Sequence, residues 1–206
     1  MVYTHMLLFA GASLLMVLTP GPNMIYLISR TLCQGVRAGL ISLLGVIAGF
    51  ICHMLAAAFG LSGAFKAEPL AYDAVKYLGA AYLLWLALQA FRSHAKGAFQ
   101  VRNLRNSSSS SLFFIGLWTN LLNPKIIVFY LSILPQFITE ERQLLKQSLQ
   151  LGAIQITVSL VVNFAIVLCA ASINRWVSTR PVWIVGQRYL MGLVLGVLGV
   201  RMMFWG

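Results

Sequence analysis

Six long runs of apolar residues, separated by polar connections, make up most of the 206-residue chain. The hydrocarbon core of a bilayer is about 30 Å thick and needs about 20 apolar residues per helix, so each run is long enough to cross it. The pattern predicts an all-α integral membrane protein with six transmembrane helices, spans one to six. They are expected at residues 5–28, 39–65, 69–91, 111–138, 147–173 and 183–205.

Span one is interrupted by the segment Thr19-Pro20-Gly21-Pro22-Asn23. Pro20 and Pro22 have no N–H to donate to the carbonyls of Met16 and Leu18, and glycine adds backbone freedom, so the helix should break here. Non-helical backbone at membrane depth is tolerated only where protein or a watery cavity surrounds it. The break therefore predicts a substrate or ion site, and the alternative is a proline kink that only shapes helix packing.

Span four contains a second interruption, Asn120-Leu121-Leu122-Asn123-Pro124-Lys125. Pro124 frees the carbonyl of Asn120, and the charge of Lys125 costs about 2.5 to 3.5 kcal/mol inside a membrane helix on insertion scales. Two proline-interrupted segments at corresponding positions of two halves are typical of a transporter site at a repeat interface. The alternative for Lys125 is a side chain that reaches to the membrane surface.

The connection at residues 93–110 is polar, basic and rich in serine, and it divides the chain into residues 1–92 and 111–206. We expect it to be a mobile linker between two three-helix repeats. Because each half has three spans, the second half enters the membrane from the opposite side and the repeat is inverted. Broken helices one and four should then meet near the midplane.

The composition is that of an integral membrane protein, since 60% of residues are hydrophobic, 9% are charged and the mean hydropathy is +0.85. The net charge of +11 comes from Lys and Arg in the connections, so nucleic-acid binding is not expected. Connections 1–2, 3–4 and 5–6 hold nine basic residues against five on the other side, which predicts periplasmic termini. Three dispersed cysteines without a C-x-x-C motif indicate neither a disulfide, nor a metal, nor another cofactor.

The two breaks together suit a zwitterion, because a broken helix presents free N–H groups on one side and free carbonyls on the other. Asn23, the backbone around Gly21 and Lys125 are expected to bind a carboxylate, unless Asn23 only caps its helix. Asn120, Asn123 and the freed carbonyls would receive an amino group. The predicted substrate-binding residues are Thr19, Pro20, Gly21, Pro22, Asn23, Asn120, Asn123, Pro124 and Lys125.

Apart from Asp73, near the start of span three, no Asp or Glu lies inside the six runs, so a proton-coupled mechanism would have to use Lys125 or His53. Tyr26 and Tyr130 lie close to the breaks, where an aromatic ring can form a gate. Simple packing is the alternative for His53 and for both tyrosines.

Small and polar residues recur at helical spacing in three spans. Span five carries a stripe that either packs against a neighbouring helix or binds solute, and the glycine pairs of spans two and six allow close helix contacts within one protomer or in a homodimer. These residues are Gly152, Gln155, Ser159 and Asn163 in span five, Gly45 and Gly49 in span two, and Gly192 and Gly196 in span six.

These motifs resemble the LysE/RhtB family of amino-acid exporters in bacterial inner membranes. The resemblance rests on both breaks, the segment from Arg30 to Gly39, Phe129, and Leu134-Pro135-Gln136-Phe137. It implies a non-enzymatic exporter of neutral amino acids or derivatives such as homoserine, threonine, homoserine lactone or leucine, driven by the proton motive force. The alternatives are a membrane redox or thiol carrier, which needs paired cysteines, and a structural subunit, which leaves both breaks unexplained.

Overall fold

The computed structural model describes residues 2–67, 104–140 and 143–170, together with single helical positions between 77 and 91 and between 172 and 203. The described residues form helices and contain no strand. The helices are α1 (Val2–Leu18), α2 (Pro22–Gln34), α3 (Val36–Ala67), α4 (Ser109–Leu121), α5 (Pro124–Val128) and α6 (Leu144–Leu168). A π-helical turn at Phe129–Ile133 and a 3-10 turn at Leu134–Phe137 follow α5.

The apolar helices agree with four of the predicted spans. Val36–Gly60 and Leu144–Leu168 are each long and apolar enough to cross a membrane. Two bent pairs also qualify if each pair is one span: Thr4–Leu18 with Pro22–Gln34, and Ser109–Leu121 with Pro124–Phe137. The described residues thus contain two to four candidate membrane spans, while spans three and six fall outside them except at the single helical positions.

Helix α3 packs against both α4 and α6, and its small residues make the contact with α4 close. A Cβ built on Gly45 would lie 1.9 Å from the carbonyl oxygen of Phe113, and one on Gly116 of α4 would lie 2.3 Å from the carbonyl oxygen of Ser42. The two backbones therefore touch where glycine leaves room. Gly192 makes a similar contact, since a Cβ there would lie 2.7 Å from the ring of Phe91. The packing role predicted for these glycines is confirmed within the protomer.

The first connection begins later than expected. Span one was predicted to end at residue 28, but α2 continues to Gln34, and Ser29, Arg30 and Thr31 are buried within it. The chain reverses at Gly35, whose φ of +87° is a conformation that glycine adopts without a Cβ clash. Arg30 tolerates burial because its guanidinium donates to a backbone carbonyl and lies 5.7 Å from the ring centre of Tyr26.

The end of the linker is held in place, whereas all of residues 93–110 was expected to be mobile. Nη1 of Arg30 donates to the carbonyl of Arg105 at 2.8 Å. Gln34 bonds both main-chain groups of Ser107, at 2.6 Å to its carbonyl and 3.0 Å from its N–H. Two side chains of α2 therefore fix the segment that leads into α4, which begins after the N-cap Ser108.

Candidate substrate site between the two helix breaks

The first break lies between α1 and α2, whose axes differ by 54°. Helix α1 ends at Leu18, where both the N–H and the hydroxyl of Thr19 donate to the carbonyl of Leu15. Gly21 is fully extended, with φ −165° and ψ −177°, and α2 begins at Pro22. The predicted interruption is confirmed, and it frees the Met16 carbonyl because residue 20 is proline.

The second break lies between α4 and α5, with a bend of 50°. Asn123 is the N-cap of α5, and its Oδ1 accepts from the N–H of Lys125 at 3.1 Å. The carbonyl of Asn120, freed by Pro124, accepts from the N–H of Asn123 at 3.0 Å and lies 3.3 Å from Nε2 of His53. Side chains near the break therefore provide hydrogen-bond partners for main-chain groups that lack their helical partners.

Asparagine side chains join the two breaks directly. Nδ2 of Asn123 donates to Oδ1 of Asn23 at 3.1 Å, across 100 residues of sequence, and both residues are buried. The capping role considered for Asn23 is wrong, because the N-cap of α2 is Gly21 and no side chain bonds there. The expectation that the two breaks lie side by side is confirmed by this bond.

Lys125 makes the second link, and its ammonium points at the first break. Its Nζ donates to the carbonyl of Met16 at 3.0 Å and to the carbonyl of Thr19 at 2.8 Å. Gly21 leaves room for this approach, since a Cβ there would lie 3.1 Å from Nζ. The surface-reaching alternative for Lys125 is therefore not what the structure shows. In this structure the side chain binds carbonyls and not a carboxylate.

Asn120 has an amide that nothing satisfies among the described residues. Its side chain is fully buried, and both Oδ1 and Nδ2 lack a hydrogen-bond partner. It packs against α3 at Gly49, where a Cβ would lie 2.7 Å from Oδ1. Because a buried unpaired donor or acceptor costs about 1 to 3 kcal/mol, this amide is a candidate hydrogen-bonding group for a ligand.

A buried polar chain runs from α3 through the π-helical turn to α6. The ring of His53 stacks on Tyr130 with centroids 5.8 Å apart. The hydroxyl of Tyr130 donates to Oε1 of Gln155 at 2.6 Å, and Nε2 of Gln155 donates to Ser159 at 2.8 Å. Gln155 of the span-five stripe therefore pairs with span four, and Gly152 packs against Met54 of α3, in agreement with a packing role. Spacing along α6 pointed to the stripe, but nothing in the sequence identified Tyr130 as its partner.

Tyr26 lies in α2, one turn after the first break, and bonds the start of α4. Its hydroxyl donates to the carbonyl of Leu112 at 3.0 Å and accepts from Ser42 at 3.1 Å. Tyr26, Arg30 and Gln34 follow each other at steps of four, so they share one face of α2. Sequence reasoning missed this face as a unit, although the spacing of three polar residues was the available signal.

The breaks themselves are closed by these contacts, and an open cavity of about 230 Å³ lies elsewhere. It sits near the start of α1 and of α6, lined by His5, Glu140, Lys146 and Gln150 among others. Within the described residues, no group of three His, Cys, Asp or Glu side chains is arranged to hold a metal.

Two broken apolar helices joined at their breaks by polar side chains define a membrane transport protein. The sequence profile of the LysE type translocators matches residues 14–206, and the chain belongs to this family. It is an efflux protein of the membrane, in the class of the amino-acid exporters.

Curated relatives agree with this assignment. The chain is 35% identical over 167 residues to the homoserine/homoserine lactone efflux protein of Salmonella typhimurium, covering 81% of this chain and 80% of that protein. It is 32% identical to an uncharacterized membrane protein of Vibrio cholerae, over 79% and 78% of the two chains. It is 27% identical to an uncharacterized membrane protein of Bacillus subtilis, over 95% and 97%. No solved structure is significantly similar.

Proposed function

We propose that this protein exports neutral amino acids or close derivatives, of the size and polarity of homoserine, threonine or leucine, across the bacterial inner membrane. The observation that carries the proposal is the contact between the two breaks, where Asn23 bonds Asn123 and Lys125 bonds the end of α1. A small zwitterion bound there touches both halves of the chain. Binding can then be coupled to a relative movement of the halves.

The site uses groups of opposite polarity for the two ends of the substrate. The ammonium of Lys125 has three N–H donors, and the N-terminal end of α2 carries a partial positive charge, so both favour a carboxylate. The carbonyls of Met16 and Thr19 and the unsatisfied Oδ1 of Asn120 favour an amino group. A neutral amino acid suits this arrangement better than a dibasic one, because the described helices offer no carboxylate for a second cation.

The whole chain forms two inverted three-helix repeats, residues 1–92 and 111–206, joined by the linker at 93–110, with both termini in the periplasm. The proton motive force drives export, with His53 or Lys125 as the group that exchanges the proton. Tyr26 and Tyr130, each of which follows a break along the chain, act as gates. A homodimer would form through surfaces other than the glycine contacts of α3, which are occupied within the protomer.

The experiment is efflux of radiolabelled homoserine, threonine, leucine and lysine from loaded vesicles, with and without an imposed proton gradient. Lys125→Met should lower kcat/KM by about 10- to 150-fold, because a charge-assisted hydrogen bond contributes about 1.5 to 3 kcal/mol. Lys146→Met, at the start of α6 and away from the breaks, is the matched control and should behave as wild type. Unchanged efflux by Lys125→Met would remove this residue from the site, and a flux insensitive to the gradient would exclude proton coupling.

A thiol carrier is the other class with broken helices, and no observation favours it. Such a protein needs two reactive cysteines at one break. Cys33 lies at the end of α2, Cys52 lies in α3 and Cys169 follows α6. Efflux that survives thiol modification would exclude this alternative.

A further inference from the structure

Lys125 occupies the carbonyls that a substrate amino group would need. Its ammonium bonds the Met16 carbonyl, which lost its helical N–H to Pro20, and the Thr19 carbonyl inside the break. The proposed function assigns the same freed carbonyls to the amino group of the exported molecule. A lysine side chain and an amino acid both present a primary ammonium with three N–H donors, so the two cations fit one site.

We propose that Lys125 is a built-in occupant of an ammonium site formed by the carbonyls of Met16 and Thr19, which the amino group of the substrate displaces. The displaced Lys125 then binds the carboxylate of the same molecule. This inference rests on the proposed function and deepens it, since it states which chemical groups a substrate must carry. No covalent bond forms or breaks, and only hydrogen bonds are exchanged.

The need for both groups follows from the charge of Lys125. A buried ammonium that loses its acceptors is costly unless it finds new ones. The only acid in the described part of the chain is Glu140, which lies outside the helices and lines the distant cavity. A simple amine would therefore leave the Lys125 ammonium without hydrogen-bond acceptors. A simple carboxylic acid has no ammonium to donate to the two carbonyls. An amino acid supplies both partners at once.

Gly21 sets how closely Lys125 can approach. With φ −165° the backbone at Gly21 is extended, which any residue adopts, so glycine is needed there for space and not for its conformation. A Cβ would lie 3.1 Å from Nζ and 3.4 Å from Cε of Lys125. Gly21→Ala should therefore crowd any ammonium at these carbonyls, that of Lys125 and that of a free amine alike, without straining the backbone.

The test replaces the lysine with a free amine. Wild type, Lys125→Ala, Lys125→Val, Gly21→Ala and the control Lys146→Ala are purified in detergent, and their Tm is followed against n-propylammonium chloride. Tetramethylammonium chloride, which has the same charge but no N–H, is titrated in parallel. At about five times its Kd, n-propylammonium should raise the Tm of Lys125→Ala by about 2–4 °C. Tetramethylammonium should not, and neither salt should separate wild type from Lys146→Ala.

The outcomes decide between the inference and the proposed function. If n-propylammonium stabilises Lys125→Ala no more than wild type, the carbonyls are not an ammonium site and the inference is overturned, even where wild type exports an amino acid. If Lys125→Ala does not fold, a larger shift in Lys125→Val than in wild type supports the inference, and equal shifts overturn it. Gly21→Ala, whose methyl group crowds the free amine as well, should show no larger shift than wild type. A specific effect of the amine without any amino-acid efflux supports the ammonium site and refutes the proposed function.

Discussion

The contact between α3 and α4 at Gly45 should be among the least tolerant of substitution. A Cβ at this position would lie 1.9 Å from the carbonyl oxygen of Phe113 and 2.9 Å from the backbone nitrogen of Leu117. Because ordinary carbon to oxygen contacts begin at about 3.3 Å, Gly45→Ala would require the helices to separate by about 1.4 Å. Backbone atoms cannot turn aside as a flexible side chain can.

The energetic cost follows from that separation. A gap of 0.5 to 1 Å already removes about a quarter to a half of the dispersion attraction between facing atoms, and overpacking costs about 1 to 3 kcal/mol. We expect Gly45→Ala to lower the free energy of unfolding by about 3 kcal/mol, the upper end of this range, which corresponds to a Tm lowered by about 6–12 °C. At Gly60 in the same helix, a Cβ would meet no described atom within 4 Å. Gly60→Ala should therefore raise the free energy of unfolding by up to about 1 kcal/mol, because alanine has the higher helix propensity.

The assay is thermal unfolding of the purified variants, followed by tryptophan fluorescence, together with efflux at matched expression. Gly49 and His53 contact Asn120 along the same face of α3, so separation of α3 from α4 should also lower efflux. If Gly45→Ala unfolds within about 1 °C of Gly60→Ala, the helices are not in backbone contact there and the reasoning is refuted.

Two further predictions concern bonds that join the halves of the chain. In a double-mutant cycle, Asn23→Ala and Asn123→Ala should show a coupling free energy of about 0.5 to 1.5 kcal/mol in unfolding experiments, and additive effects would mean that the two amides do not bond. Arg30→Met should release the segment before α4, because the bond from Arg30 to that segment is lost. Limited proteolysis should then cut residues 104–108 faster than in wild type and in the control Arg37→Met. Equal cutting rates would contradict the contact.

The positions of both breaks could be predicted from the chain alone. Pro20, Pro22 and Pro124 lack an N–H, and that covalent property interrupts a helix whatever surrounds it. The long apolar runs likewise predict helices α3 and α6 with small errors at their ends. The end of α2 was predicted wrongly because burial of Arg30 depends on a carbonyl that arrives 75 residues later. Without that contact, the charge of Arg30 predicts a polar connection and not a buried helix.

The candidate site was predicted as a set of residues but not as a set of bonds. Asn23, Asn123 and Lys125 were expected together, whereas the sequence could not tell whether Lys125 bonds a carboxylate or the carbonyls of α1. The role of Asn123 as the cap of α5 and the orphaned amide of Asn120 also emerge only from the packed helices.

Apolar composition and the missing proline N–H are local properties of the chain, and they are enough to predict a membrane protein in which two helices break. The chain order also predicts that a cation and several amides accompany the breaks. The groups that satisfy the freed backbone, by contrast, are selected by the packing of the helices. That choice depends on how closely α3 and α4 approach and how sharply each pair of helices bends, because a hydrogen bond across 100 residues forms only when packing brings its two atoms within about 3 Å.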